Sequence, residues 1–151
     1  CILRLPLVGH LARLVSLARF SSTLSTLLSS GVPMLTALDV AKRVTGNRVI
    51  ENAVEMARLK VKEGGSLGAT LRLSGMVPPL MVHLITVGEK GGTLEGMLHH
   101  CATLYEAEVD RSLTRLTSLL EPIMILAMGG FVLFLVLAVL LPLVEMNQMV
   151  R

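Results

Sequence analysis

The chain has 151 residues, 52% apolar and only 17% charged, with 14 Lys and Arg against 11 Asp and Glu and a formal net charge of +3. That length suits about one domain, and the shortage of charge excludes a disordered tail and places part of the chain in lipid. With no Trp, one Tyr and three Phe there are too few rings to stack bases, so no nucleic-acid partner is expected, and the small positive charge suits a domain beside an anionic membrane surface.

Two cysteines, Cys1 and Cys101, are too few for a disulfide framework and indicate a reducing compartment. The chain begins at Cys1, and residues 1–6 hold no apolar signal-like stretch, so it reads as a piece of a longer protein.

In chain order, Leu14, Leu17, Leu24, Leu27 and Leu28 recur at helical spacing and predict a helix over about 11–30, stopped by Gly31-Val32-Pro33. Arg4, Arg13 and Arg19 lie either on an anionic lipid surface or on the solvated face of this helix. A second helix, about 33–44, opens at Pro33 and ends at Thr45-Gly46-Asn47. Asn47 then caps a third, with Val49, Ala53, Val54, Ala57 and Val61 inward and Glu51, Glu55, Arg58 and Lys62 toward water. Gly64-Gly65 ends it, and Ser66 caps a short fourth helix reaching about Leu73.

A fifth helix runs from Pro79 to about Gly88, and Gly91-Gly92 closes it. The sixth starts at Thr93 and carries a stripe through Leu94, Met97, Leu98, Cys101, Leu104, Tyr105, Val109, Leu113, Leu116 and Leu120. Its opposite face holds Glu95, His99, Glu106, Asp110 and Thr117. No stretch alternates with period two, so no sheet is expected. The junctions Ser30-Gly31-Val32-Pro33 and Ser74-Gly75-Met76-Val77-Pro78 echo each other, too briefly to define a repeat.

From Pro122 to Val144 there is no charged side chain, with Glu121 and Glu145 as brackets. Of the 22 residues Ile123–Val144, 15 are Leu, Ile, Val or Phe, and as a helix they extend roughly 33 Å, enough for a hydrocarbon core of about 30 Å. Pro122 stands where the sixth helix meets this span and is expected to bend it or open a new helix. Glu121 sits at the edge, as an interfacial anchor or a contact to a partner. Arg111 and Arg115 precede the span and only Arg151 follows, which favours a cytoplasmic N-terminal side.

Catalytic and metal chemistry find little support. In Gly88-Glu89-Lys90-Gly91-Gly92-Thr93 the Lys precedes the paired glycines and the flanks are helical, unlike a phosphate loop. His99-His100-Cys101 diverge by about 100° per residue on a helix and do not converge on one ion. His83 stands alone on a short helix, and no nucleophile has an evident partner base.

Several motifs then combine. Arg19-Phe20, Thr23-Leu24, Leu27-Leu28-Ser29-Ser30-Gly31-Val32-Pro33-Met34-Leu35 and Ala37-Leu38 are followed by Gly64-Gly65-Ser66-Leu67, Val77-Pro78-Pro79-Leu80, and Val87-Gly88-Glu89 with Gly92 and Leu94. Leu120-Glu121-Pro122 and Leu141-Pro142 with Asn147 complete the series. In this order they resemble the type II secretion system F family over nearly the whole chain. The resemblance implies an all-α protein: an antiparallel six-helix cytoplasmic module over residues 1–120 (1–18 a juxtamembrane lead-in), a transmembrane helix over 121–144 and a short tail, 145–151. Family members carry two such modules and three spans, and this chain corresponds to the second module and last span.

The implied role is a non-enzymatic platform in the bacterial inner membrane, without a cofactor, its module cytoplasmic and its C-terminus periplasmic. Implied partners are a secretion ATPase, other inner-membrane platform proteins and pseudopilins, with homo-oligomerisation expected. The ending Val132–Ala138, Leu141-Pro142-Leu143 and Met146-Asn147-Gln148 is nearer to secretion members than to type IV pilus members. Some first modules of the family hold calcium through the Glu of their Gly-Glu motif and two further acids. Here Glu89 matches the first, but Thr93 and Thr36 stand at the others, and one carboxylate is too little for Ca²⁺.

The resulting expectation is a transmitter. Arg43, Arg48, Arg58, Lys60 and Lys62 would meet an acidic partner, with Glu89 a further coupling candidate, and the sixth helix would pass displacement through Glu121-Pro122 into the span. The competing reading is a membrane-anchored scaffold without coupled motion.

Overall fold

A computed structural model describes residues 6–150, with side chains from residue 9. The expectations placed on Cys1, Arg4 and Arg151 lie outside the described residues. Six helices follow one another: α1 Pro6–Ser29, α2 Met34–Arg43, α3 Arg48–Lys62, α4 Leu67–Ser74, α5 Pro79–Gly91 and α6 Leu94–Met149. No strand occurs among the described residues. The regular structure of the described residues is all helical, and one of these helices is long and apolar.

The punctuation acts largely as its chemistry dictates. Asn47 Oδ1 accepts from the amides of Val49 and Ile50 at 3.0 and 3.4 Å, and Ser66 Oγ accepts from the Ala69 amide at 3.2 Å. Gly31 and Gly75 take the left-handed backbone, φ +81 and +64, after α1 and α4, while Pro33 and Pro78 stand as N-caps of α2 and α5. The two echoing junctions are therefore built alike. Pro33 precedes its helix rather than opening it, and α1 begins at Pro6, earlier than the leucine spacing predicts.

The chain divides into two compact units, Cys1–Asp110 and Arg111–Arg151. In the first, consecutive helices α1 to α5 touch pairwise, joined by connections of four residues. One apolar cluster takes Leu17, Phe20 and Leu24 from α1, Leu38 from α2, Val54 from α3, Leu71 from α4, Ile85 from α5 and Leu98 from α6. Packing of these stripes, more than intrinsic propensity, holds helices as short as α4.

Three expectations about faces fail. Val49 is 53% exposed and Ile50, at 2%, takes its place in the core, because one residue turns a helix by about 100° and the α3 core face centres on Ile50, Ala53, Val54 and Ala57. Leu104 is exposed where the stripe predicts burial, and its neighbour Ala102 is buried. Leu113, Leu116 and Leu120 are also exposed, since they belong to the second unit, where no other helix covers them.

Within Arg111–Arg151 the described residues form the C-terminal part of α6. Pro122 and Pro142 lie inside this helix, so Pro122 does not start a new one, although it supplies no amide for the carbonyl four residues back. Among the described residues α6 is the one helix long and apolar enough to cross a membrane, and none of its most apolar window is buried. Leu126, Phe131, Phe134 and Leu141 all stand exposed, the reverse of a soluble core helix.

Candidate functional site

Glu89, near the end of α5, turns its carboxylate onto the start of α4. Oε1 accepts from the Leu67 amide at 2.6 Å, and Oε2 accepts from the Gly68 amide at 3.0 Å and from Ser66 Oγ at 2.7 Å. The first amides of a helix have no partner within it and carry the positive end of its dipole, so a carboxylate there satisfies donors and charge together. Ser66 Oγ in turn accepts from Ala69, and the cap is a two-layer network. Both oxygens of Glu89 are thus taken up by the start of α4. Among the described residues no group of three or more His, Cys, Asp or Glu is placed to hold a metal ion.

Two glycines make this possible. A Cβ on Gly68 would collide with Thr86 Oγ1 and stand 3.3 Å from Glu89 Oε2, so α4 meets α5 at backbone distance only without a side chain there. A Cβ on Gly88 would lie 2.8 Å from Leu94 Cα, which sets the α5–α6 turn. The Gly-rich segment after α3 and the Gly88-Glu89 pair thus form one interlock, explaining two motifs that are far apart in the chain.

The other end of α4 is held from α1. Arg13 donates from Nε to the Met76 carbonyl at 3.0 Å, and from Nη2 to the same carbonyl and to that of Gly75. A cation at a helix C-terminus complements the dipole. Of the two placements expected for Arg13, a lipid surface or a solvated face, it takes neither simply but is engaged at the end of α4, whereas Arg19 is exposed. Ser25 Oγ donates to the Glu95 carbonyl at 2.9 Å, tying α1 to the start of α6.

The predicted cations fall into two groups. Arg58 grips Glu55 through Nη2 at 2.6 Å and Nε at 3.0 Å. Lys42 bridges Glu55 at 2.5 Å and Asp39 at 2.8 Å, and Arg43 also pairs with Asp39 at 2.8 Å. The expectation that Glu55 and Arg58 simply face water is corrected: both are half-buried in a network linking α2 to α3. Hydrogen bonds from Arg58 and then Lys42 hold the Glu55 carboxyl down at about 2, and those from Lys42 and Arg43 lower Asp39. Lys60 pairs with Glu63 at 3.2 Å on the surface. Arg48 and Lys62 are exposed, at opposite ends of α3, with no ionic partner among the described residues. Glu121 and Pro122 are exposed in the second unit.

The apolar surface of α3 escapes a reading based on charge. Met56, Leu59 and Leu73 line an open groove of about 400 Å³ between α3 and α4, together with Lys60, Glu63 and Thr70. Cys101 is fully buried, and burial pushes its thiol up to about 11, so it is packing material rather than a nucleophile.

The family model for type II secretion system protein F matches residues 20–142. The chain belongs to the type II secretion system F family. Among curated F-family relatives, the type II secretion system protein F of Pseudomonas aeruginosa is 45% identical over 149 residues, 99% of this chain and 37% of that protein. The type IV pilus assembly protein PilC of Thermus thermophilus is 44% identical over 142 residues, 93% of this chain and 35% of its own length. The PilC of Pseudomonas aeruginosa is 36% identical over 149 residues, 99% of this chain and 40% of that protein. The chain thus spans little more than a third of the curated relatives it matches. The matched segment contains both the α4–α5 interlock and most of the apolar part of α6, so the family reading covers the packed unit and the bare helix alike.

Proposed function

We propose that the chain is part of an inner-membrane platform of a bacterial type II secretion system, coupling a cytoplasmic assembly ATPase to pseudopilin assembly. The observation that carries this reading is the joining of a packed helical unit to an uncovered apolar helix within one F-family match. In the proposal, residues 1–120 form the cytoplasmic module and 121–144 the span. The short connections between touching neighbours support an antiparallel course for the module helices, since links of a few residues reverse direction. The tail, 145–151, lies in the periplasm, in keeping with Arg111 and Arg115 on the cytoplasmic side.

The cationic contact is best assigned to Arg43, Arg48, Lys60 and Lys62, which remain accessible. Arg58 is engaged with Glu55 and acts first as structure. Glu89 is engaged with α4, so any coupling role runs through α4. Homo-oligomerisation and contacts to other inner-membrane platform proteins belong to the same proposal. A second reading, a type IV pilus platform, stands beside it because the 44% identity to a PilC protein nearly equals the 45% to a secretion protein F.

Pro122→Ala in the intact protein distinguishes a transmitter from a scaffold. The transmitter reading expects secretion to fall at least tenfold with assembly of the complex unchanged. Undiminished secretion would leave the scaffold. Orientation is tested by single cysteines placed at Thr117 and Gln148, with Cys1 and Cys101 replaced: a membrane-impermeant maleimide applied to intact spheroplasts should label only position 148. Labelling of position 117 alone would invert the topology.

A further inference from the structure

We infer that the α3–α4 groove is the seat of an acidic amphipathic helix supplied by the assembly ATPase, an assignment that rests on the platform reading above. Met56 and Leu59 on α3 are 61% and 48% exposed, and Leu73 on α4 is 85% exposed. α3 therefore carries two apolar faces: one enters the core through Ile50, Val54 and Ala57, and the other has nothing over it within its unit.

The shape selects the occupant. The surface is concave, a channel between two packed helices, and a channel of this kind accepts the ridge of a third helix. A lipid surface is instead met by a convex apolar face lying in the interfacial plane. α4 has 8 residues and α3 has 15, lengths of roughly 12 and 22 Å, so the seat matches two to three turns with anchors at i, i+3 or i+4, and i+7.

The charge selects its chemistry. The segment from Arg48 to Ser74 carries five cations against three carboxylates, and Glu55 is already engaged with Arg58 and Lys42. Lys60 and Glu63 line the groove, and Arg48 and Lys62 stand exposed at the two ends of α3. The Lys60–Glu63 pair is exposed on both sides, a geometry that is weak in water and readily exchanged. A docking helix with acidic flanks gains from this rim in rate and register. Two faces of a second copy fit poorly: the exposed side of α5 pairs Leu80 and Val87 with His83 and Lys90, and the exposed side of α6 in the first unit has Leu104 as its single large apolar residue.

The test uses the intact protein in membranes with the cognate ATPase. A photo-crosslinking residue replaces Leu73, and in a control it replaces Leu80, also exposed but on α5. Leu73→Glu and Lys60→Glu are assayed separately for ATPase binding. The inference expects crosslinks to the ATPase from position 73 and not from position 80. It also expects affinity to fall at least tenfold in Leu73→Glu, and to fall in Lys60→Glu with a weaker dependence on salt. Both side chains point out of the core, so folding should survive, and an unchanged melting temperature checks this. Wild-type binding that Leu73→Glu leaves intact overturns the groove while sparing the platform reading. Crosslinks from position 73 to the same protein or to another copy overturn the occupant. Failure of the wild type itself to bind the ATPase overturns the platform reading and this inference with it.

Discussion

Replacing Glu89 with Ala removes one acceptor from three donors: the Leu67 and Gly68 amides and the Ser66 hydroxyl. Hydrogen bonds to a charged group contribute about 1.5–3 kcal/mol each when partly shielded, and a carboxylate at a helix N-terminus adds about 0.3–1 kcal/mol. Water reaches the half-buried site and Ser66 still caps Ala69, so the terms do not simply add; the expected loss is about 2–4 kcal/mol. Glu89→Gln keeps one acceptor oxygen but turns an NH2 donor toward other donors, and should cost about half as much. Thermal unfolding of the detergent-solubilised protein should show the Ala variant lower by on the order of 10 °C. Hydrogen exchange should quicken first at the Leu67 and Gly68 amides. If the Ala variant melts within about 2 °C of the wild type, or those amides keep their protection, the interlock does not hold α4.

The remaining predictions concern packing and charge. Gly68→Ala should destabilise by about 1–3 kcal/mol, and Thr86→Ala in the same chain should recover much of that loss in a double-mutant cycle, because the colliding atom is a side-chain oxygen. Gly88→Ala should have no such rescue, as its neighbour is the backbone of Leu94. Acid titration should reveal the Glu55 network: its carboxyl sits at about 2 in the folded chain against an ordinary 4.5. Its stabilisation is thus whole above the unfolded value and is lost as pH falls from about 4.5 toward 2. Glu55→Gln should flatten that part of the acid-unfolding curve, and an unchanged curve would remove the network from the account. Cys101 should resist alkylation in the native protein and react on unfolding, as followed by mass spectrometry of its peptide.

Much of this architecture is legible in the chain because its breaks are chemical. Asn47, Ser66, Gly31, Gly75 and Gly92 stand where a cap or a left-handed backbone is required, and the charge-free run after Glu121 can only be apolar helix. Faces are less legible, since a slip of one residue exchanges Val49 for Ile50 and a list of apolar residues with approximate spacing does not set the phase. The polar locks are least legible. Glu89 reaches residues 21 to 23 positions away and Arg13 reaches carbonyls 62 and 63 positions away, and nothing local distinguishes either from a solvated charge. The Gly64-Gly65-Ser66 and Gly88-Glu89 motifs were the available signal, and only the fold shows that they close on each other. The Arg58–Glu55 pair has helical spacing, but its Lys42 partner arrives from a different helix.

In the proposed role, this F-family chain works at the junction of the membrane and a cytoplasmic motor. The most direct test of that role is to crosslink the intact protein in its own bacterial membranes, purify it in detergent and identify the bound chains by mass spectrometry. The account predicts recovery of an assembly ATPase together with other inner-membrane platform proteins, and the type of ATPase would separate secretion from pilus assembly. Recovery of the protein alone, with no ATPase after crosslinking, would contradict it.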